Sequence, residues 1–200
     1  DYVVCSGGDG TMNEVANGMM RLHEKPICGY IPAGTVNDFA SSLRIPKIMR
    51  HAAELVTQGK VFRCDLGSFN DKFFTYVAGF GAFTEVSYTT PQEWKNMLGK
   101  PAYFIEGLKH LAEIKPHHMR ITYDDGVVED DFVLGLVSNS VSVAGYKAYQ
   151  KEDIKMDDGL FEVLFIRDLK NALELQEVLN ALLTKHLDAT KMFRCSSRHL

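Results

Sequence analysis

The chain has no apolar run that reaches the roughly 18–20 residues a membrane-spanning helix needs, and no surplus of Lys and Arg of the kind a nucleic-acid-binding domain carries. Its formal charge is −4, with an isoelectric point near 6.0. Residues 1–61 carry six Lys/Arg and six Asp/Glu, so the whole excess of acid lies in residues 62–200. Cysteine is scarce. Cys5, Cys28, Cys64 and Cys195 stand far apart, without a Cys-x-x-Cys pair or a His at ligand spacing, which excludes a zinc ribbon or a vicinal redox dithiol. They read as buried thiols of a reducing cytoplasm. An initiator Met and a signal peptide are also lacking, and Asp1 opens in what reads as a core strand, so a fragment of a longer protein is expected. What is there is ample apolar material: 46% of 200 residues, enough for one large or two small domains.

The most informative residues come first. Ser6-Gly7-Gly8-Asp9-Gly10-Thr11 follows an apolar strand, Tyr2 to Cys5, and opens into a helical stripe of Met12, Val15, Ala16, Met19 and Leu22. Glycines let the backbone turn and approach a ligand with no Cβ between, so main-chain N–H groups and the helix N-terminus can face phosphate oxygens. Asp9 adds a requirement, because a carboxylate repels phosphate unless a cation stands between them, which points to Mg²⁺ with a nucleotide. A tight connection would explain two glycines alone; Asp followed by Gly-Thr favours the phosphate cradle. Thr11 or Asn13 is the expected helix cap.

Ile27 to Ile31, between Pro26 and Pro32, reads as a buried parallel strand, which makes the first helix a β-α-β crossover. The loop Pro32-Ala33-Gly34-Thr35-Val36-Asn37-Asp38-Phe39-Ala40 then returns to the carboxyl edge of the sheet, where ligands of open α/β folds bind. A helix cap would account for any one of Thr35, Asn37 and Asp38. Facing the first loop, however, Thr35 can bond phosphate while Asn37 and Asp38 position a substrate hydroxyl or a metal-bound water. A further helix over 48–58 closes at Gly59.

From Val61 the period becomes that of strands, Phe62, Cys64 and Leu66 alternating with Arg63 and Asp65, and a second domain begins. A turn at Asn70-Asp71-Lys72 precedes a strand over Phe73 to Gly81. Met119-Ile121-Tyr123 alternates, Asp125-Gly126 reads as a hairpin turn, and a strand returns over Val127 to Val137. Another strand is expected over Leu160 to Ile166, an amphipathic helix over 169–187, and a helical insertion over about 91–115. The expected architecture is thus α/β over residues 1–61 and antiparallel β over 62–200.

Lys155-Met156-Asp157-Asp158-Gly159-Leu160 has the composition of a solvated turn, yet a turn that aims carbonyls inward can hold a hard cation beside Asp158. Between Lys95 and Arg120 the charge reverses: Lys95, Lys100, Lys109, Lys115 and Arg120 face only Glu106 and Glu113, with His110, His117 and His118 nearby. Trp94, Met97, Leu98, Tyr103, Phe104 and Ile105 are interleaved there, a mixture equally suited to a solvated helix and to an anionic bilayer surface. His117 and His118 are adjacent in a strand and so point to opposite faces.

Gly7-Gly8-Asp9-Gly10-Thr11 followed by Gly34-Thr35-Val36-Asn37-Asp38-Phe39-Ala40 resembles the motif pair of the diacylglycerol kinase catalytic-domain family, in its soluble bacterial branch. Ala78-Gly79-Phe80-Gly81, Val86 to Pro91, Ser138-Asn139-Ser140 with Ala144-Gly145, and Asp157-Asp158-Gly159 carry the same likeness along the chain. The resemblance implies a phosphofructokinase-like α/β domain for ATP over residues 1–61, lacking its first strand, and a β-sandwich lipid-substrate domain with helical insertions over 62–200, lacking its C-terminal part. It implies that Gly7, Gly8, Asp9, Gly10, Thr11, Asn13, Glu14 and Thr35 bind ATP. It also implies a structural Mg²⁺ held by the Asp158 side chain with the backbone oxygens of Lys155 and Leu160.

The family's opening Asn-Pro-x-Ser-Gly loop and its Asp-Gly-Glu base motif are absent from these residues. The second would fall beyond Leu200, which leaves Asp9 as the catalytic candidate here and makes this stretch alone an expected inactive piece. The implied reaction is ATP-dependent, Mg²⁺-assisted phosphorylation of the free hydroxyl of diacylglycerol to phosphatidic acid, by a cytoplasmic, peripherally membrane-associated enzyme that forms a homodimer and binds no nucleic acid. The lipid groove is placed near Phe80, Phe83 or Tyr146. The rivals are another acceptor (phosphatidylglycerol, a sphingoid base, a polyprenol or NAD) and a nucleotide-binding, membrane-docking module without turnover.

Overall fold

Side chains alternate along β1 (Tyr2–Gly7): Tyr2, Val4 and Ser6 share one face and Val3 and Cys5 the other. β2 (Ile27–Pro32) lies parallel to it, in register from Tyr2 opposite Ile27 to Gly7 opposite Pro32, and α1 (Asp9–Met20) makes the crossover. The computed structural model describes residues 1–81, 115–140, 155–184, 186 and 189–200. Cys5 and Tyr30 on one sheet face join Met12 and Ala16 of α1, Phe39 and Ala40 of α2 (Asp38–Ser42), and Met156 in a single buried cluster. On the other face α3 (Met49–Gln58) lays Val56 over Gly29, where a Cβ would stand 2.5 Å from Val56 Cγ1. That face is only partly covered. Tyr2 is 70% and Val4 58% exposed, so the first strand, expected to be a core strand, is buried on one side alone.

The helix stripe is narrower than its sequence suggests: Met12 and Ala16 are buried, while Leu22 lies past the helix end and is 49% exposed. Neither Thr11 nor Asn13 caps α1. The cap position is Gly8, whose carbonyl accepts the Met12 N–H, and Thr11 and Asn13 lie inside the helix.

Residues 61–66 form no strand; they are a connector without regular secondary structure in which the Asp65 N–H donates to the Met156 carbonyl at 2.7 Å, and Phe62 is 56% exposed. β3 (Gly67–Phe69) and β4 (Lys72–Phe74) then make a two-stranded antiparallel hairpin around Asn70, which takes a left-handed φ of 55°. The strand expected over Phe73 to Gly81 is broken at Thr75-Tyr76, and β5 (Val77–Gly81) belongs to a different sheet.

That sheet is antiparallel and five-stranded. The long β7 (Gly126–Ser138) takes β6 (His117–Tyr123) along its first half and β5 along its second half on one edge. β8 (Phe161–Arg167) and then β9 (Met192–Ser197) follow on the other. Tyr123 pairs with Gly126, so the hairpin loop is Asp124-Asp125, one residue earlier than expected. The shift has a tertiary cause: the Asp124 N–H donates to Ser197 Oγ at 3.0 Å and the Asp124 carboxylate accepts the Arg198 N–H at 2.7 Å, which ties the loop to the end of β9.

α4 (Ala172–Thr184) covers one face of the sheet through Val178, Ala181 and Leu182, against Val133, Leu134, Leu164 and Ile166. The opposite face is aromatic, with Phe165 at the centre of edge contacts to Phe80 and Phe132. The chain is therefore of mixed α/β content, with a parallel pair and its helices first and an antiparallel sheet after. The helical insertion over about 91–115, the island residues Lys95 to Lys109, and Phe83, Val86 to Pro91, Ala144-Gly145 and Tyr146 lie outside the described residues.

Candidate active site

The two glycine loops touch. A Cβ built on Gly34 would stand 2.5 Å from the Gly8 Cα and 2.7 Å from Asn37 Oδ1, and one on Gly8 would stand 3.2 Å from the Gly34 Cα. Only residues without a Cβ permit this approach of backbone to backbone. Gly7 is likewise enclosed, with the Thr11 side chain over it, whereas a Cβ on Gly10 meets nothing within 4 Å. Gly10, Thr11, Glu14 and Thr35 are exposed.

Asp9 joins the loops. Its Oδ2 accepts the Asp38 N–H at 3.0 Å and its Oδ1 accepts the Phe39 N–H at 3.1 Å, so the carboxylate sits in the first turn of α1 and against the first turn of α2 together. Both helix ends present partial positive charge to it. Asn37, which occupies the cap position of α2 with a left-handed φ of 56°, makes no side-chain cap bond; its Oδ1 accepts the Gly34 N–H at 2.9 Å and its Nδ2 donates to the Gly34 carbonyl at 2.6 Å. Asp9 does the capping that Asn37 forgoes.

Burial pushes the Asp9 carboxyl above the ordinary carboxylate value, the two backbone N–H bonds oppose this, and the Asp38 charge beside it adds to the rise. Asp38 itself is buried. Tyr30 donates from its hydroxyl to the Gly7 carbonyl at 3.3 Å, and burial, followed by the Asp9 charge, pushes its phenol well upward, so it stays a donor.

Comparison with known proteins bears on what such a pair of loops does. The profile of the diacylglycerol kinase catalytic domain matches residues 1–69. The diacylglycerol kinase of Staphylococcus saprophyticus is 37% identical over 179 residues, which cover 90% of this chain and 58% of that protein. The diacylglycerol kinase of Bacillus subtilis is 35% identical over 190 residues, covering 94% of this chain and 62% of that one. Residues 1–69 are similar to that catalytic domain. A crystal structure of a diacylglycerol kinase from Bacillus anthracis superposes with a TM-score of 0.77 at 29% identity, over 98% of this chain and 64% of that one. The chain thus spans about three-fifths of the length of the diacylglycerol kinases it matches.

Other residues of the chain take positions its sequence did not announce. Asn13, grouped above with the nucleotide loop, gives its Oδ1 to the Thr75 N–H at 3.0 Å. Asn17, one turn on, pairs with both backbone groups of Phe73. At the far end of α2, Ser42 Oγ donates to the Asp38 carbonyl at 3.0 Å and lies 2.8 Å from Ser140 Oγ. The only local signals for these were polar residues set into apolar stretches: Tyr30 in a buried strand, Asn13 and Asn17 four apart on a helix.

The Asp158 turn stands apart from the two glycine loops in the chain but is firmly built. Asp158 Oδ1 accepts the Leu160 N–H at 3.0 Å, and Gly159, at φ +75°, donates its N–H to Asp65 Oδ2 at 2.6 Å. Asn139 Nδ2 donates to the Asp65 and Met156 carbonyls at 3.1 and 3.3 Å. Among the described residues the buried Asn139 Oδ1 has no partner, a property it shares with Thr75 Oγ1. Among the described residues no three His, Cys, Asp or Glu side chains are grouped as metal ligands, so a cation at this turn would rest on the second oxygen of Asp158 with main-chain oxygens.

Proposed function

We propose that the intact protein transfers the γ-phosphoryl group of ATP to the free hydroxyl of diacylglycerol, giving phosphatidic acid and ADP. The observation that carries the reading is the meeting of two glycine loops at Gly8 and Gly34, with Asp9 docked on the start of α2. The named relatives support it, since they are diacylglycerol kinases over the aligned stretch.

In this reading residues 1–61 form a phosphofructokinase-like nucleotide domain and residues 62–200 a β-sandwich domain that receives the lipid. Gly7, Gly8, Gly10 and Thr11 offer close backbone approach and first-turn N–H groups to the phosphates. Glu14 and Thr35 flank them, and Asn13 contributes through its amide nitrogen, because its oxygen is engaged by Thr75. The donor set fits Mg²⁺, a hard cation that takes oxygen: Asp9 offers a carboxylate, and the Asp158 turn offers carboxylate and main-chain oxygens. Bound Mg²⁺ supplies charge neutralisation to the transferring phosphoryl group.

Asp38 positions the acceptor hydroxyl, and Asn37 acts by shaping the loop around Gly34. An alcohol needs a base, and burial raises the proton affinity of Asp9, which makes it the catalytic candidate of this segment. Lys155 and Leu160 would complete the structural cation site with backbone oxygens. The protein would meet its lipid as a peripheral visitor to the bilayer surface, with a homodimer formed through edge strands.

The test is ATP-dependent phosphate transfer by the intact protein in mixed micelles, with diacylglycerol, sphingosine, phosphatidylglycerol and NAD as parallel acceptors and Asp9→Asn as control. Phosphatidic acid as the selective product, lost in the variant while its thermal melt is retained, is the expected result. Product from another acceptor alone overturns the substrate, and ATP binding without any product overturns the kinase reading.

A further inference from the structure

α2 is five residues long, too short to hold its shape alone, yet it carries Asp38 and supplies both N–H groups that fix the Asp9 carboxylate. Its position must come from outside. Phe39 and Ala40 bury one side of it in the core. At its C-terminal end Ser42 Oγ donates to the Asp38 carbonyl, an acceptor only. The same hydroxyl lies 2.8 Å from Ser140 Oγ, a hydrogen bond in which either oxygen can be the donor.

Ser140 is fully buried and lies two residues beyond β7. Its neighbour Asn139 is fastened three ways, by its N–H to the Tyr76 carbonyl at 2.9 Å and by Nδ2 to the Asp65 and Met156 carbonyls. The serine hydroxyl is thus a fixed point on the antiparallel sheet, 98 residues away in sequence from the helix it touches.

From this chain of contacts we propose that Ser140 is a positioning residue for the phosphoryl-transfer site, holding α2 through Ser42 and so setting the place of Asp38 and, through the Asp38 and Phe39 N–H groups, of Asp9. The inference rests on the kinase reading above. It assigns a task to the Ser138-Asn139-Ser140 segment, and it makes the antiparallel sheet a partner in aligning the first two loops.

Ser140→Ala removes that contact while Ser42 keeps its bond to the Asp38 carbonyl. The expected result with the intact protein is a fall in kcat of about tenfold, with the KM for ATP changed less than twofold, because the phosphate loop itself is untouched. Ser42→Ala, at a half-buried position, also loses its own bond to the Asp38 carbonyl and should give at least that fall. The double variant should be no worse than Ser42→Ala, since Ser140 acts on α2 through Ser42. Amide exchange at Asp38 and Phe39, read by NMR, should quicken in both single variants, and Ser140→Thr, which keeps the hydroxyl, should restore the slow exchange and most of kcat.

Multiplicative losses in the double variant, or unchanged exchange at Asp38 and Phe39 in the variants, overturn the proposal. If Ser140→Ala does not fold, the comparison of Ser42→Ala with Ser140→Thr decides it by the same exchange readout. A wild-type protein that makes no phosphatidic acid defeats the kinase reading instead, while the exchange measurement still reports on the contact.

Discussion

Asn17 binds the backbone of Phe73 as a neighbouring strand would, its Oδ1 accepting the Phe73 N–H at 2.8 Å and its Nδ2 donating to the Phe73 carbonyl at 2.7 Å. One turn earlier Asn13 Oδ1 accepts the Thr75 N–H, so two amides four residues apart on α1 take the place of a paired strand along β4. Asn17→Ala leaves both Phe73 groups without that partner and is expected to cost about 1–3 kcal/mol. Asn17→Asp keeps the acceptor but not the donor and should fall between. Urea denaturation of the intact protein measures this; equal stability of all three would show the pairing to be idle.

The approach of Gly34 to Gly8 sets up a contrast between glycines. Gly34→Ala forces a methyl to within 2.5 Å of the Gly8 Cα, and the loops must part. A destabilisation of about 1–3 kcal/mol is expected, together with loss of nucleotide affinity. Gly10→Ala adds a methyl in open space near the start of a helix, so the melt should stay within about 1 kcal/mol of the parent. Any fall in ATP affinity there reports crowding of the ligand rather than of the fold. Calorimetric melts paired with ATP titrations separate the two, and a Gly34→Ala protein with parental stability and affinity contradicts the close packing.

How much of this could be read from the chain follows from the range of the forces. The strand, glycine turn and helix over Tyr2 to Met20 were legible because glycine spacing and the strand before it are local facts; β6 was legible from alternation, and β7 and β8 from the apolar runs that form them. Residues 61–66 misled for the same reason: Phe62, Cys64 and Leu66 alternate in sequence, but a connector can carry that pattern too, and nothing local says that Phe62 faces solvent. The hairpin loop was misplaced by one residue because Ser197 and Arg198, more than seventy positions away, hold Asp124. The cap of α1 was misread, since Gly8 and not Thr11 or Asn13 takes that place, and Asn37, for which a cap was the alternative to a site role, turns its side chain back to Gly34 and leaves the start of α2 to Asp9. In each case a partner distant in sequence, or the choice between strand and coil, decided the outcome.

His118 makes a pH-dependent clasp on the exposed face of the β6–β7 hairpin. Its Nδ1 lies 2.9 Å from Asp131 Oδ1 and its Nε2 3.5 Å from Glu129 Oε1. Hydrogen bonding to Asp131 first, and then to Glu129, pushes its pKa above the ordinary His value. A raised value means that the folded state holds the proton more tightly. The stabilisation is therefore complete below the ordinary value of about 6.5 and disappears as pH rises through the raised one. An imidazole NMR titration should place the His118 midpoint above the ordinary value, and Asp131→Asn should bring it down. A midpoint at or below the ordinary value in the unsubstituted protein contradicts the clasp.

The four thiols stand free and are expected to be slow nucleophiles, for a reason that distinguishes native from unfolded chain. Burial pushes Cys28 up to about 11, with Cys5 and Cys64 close enough to add to the rise, and burial followed by the Glu162 charge does the same for Cys195. Cys5 and Cys64 are raised by burial as well. The thiolate is the reacting species, so at pH 8 alkylation of Cys28 and Cys195 should run on the order of a hundredfold slower in the native protein than in urea. The rate should climb tenfold per pH unit well past the point where an ordinary thiol levels off. Mass-resolved iodoacetamide labelling follows each site separately. A native Cys28 that labels at the unfolded rate would mean that solvent reaches the cluster of Cys5, Cys28 and Cys64, and that the core beneath the two glycine loops is open rather than packed.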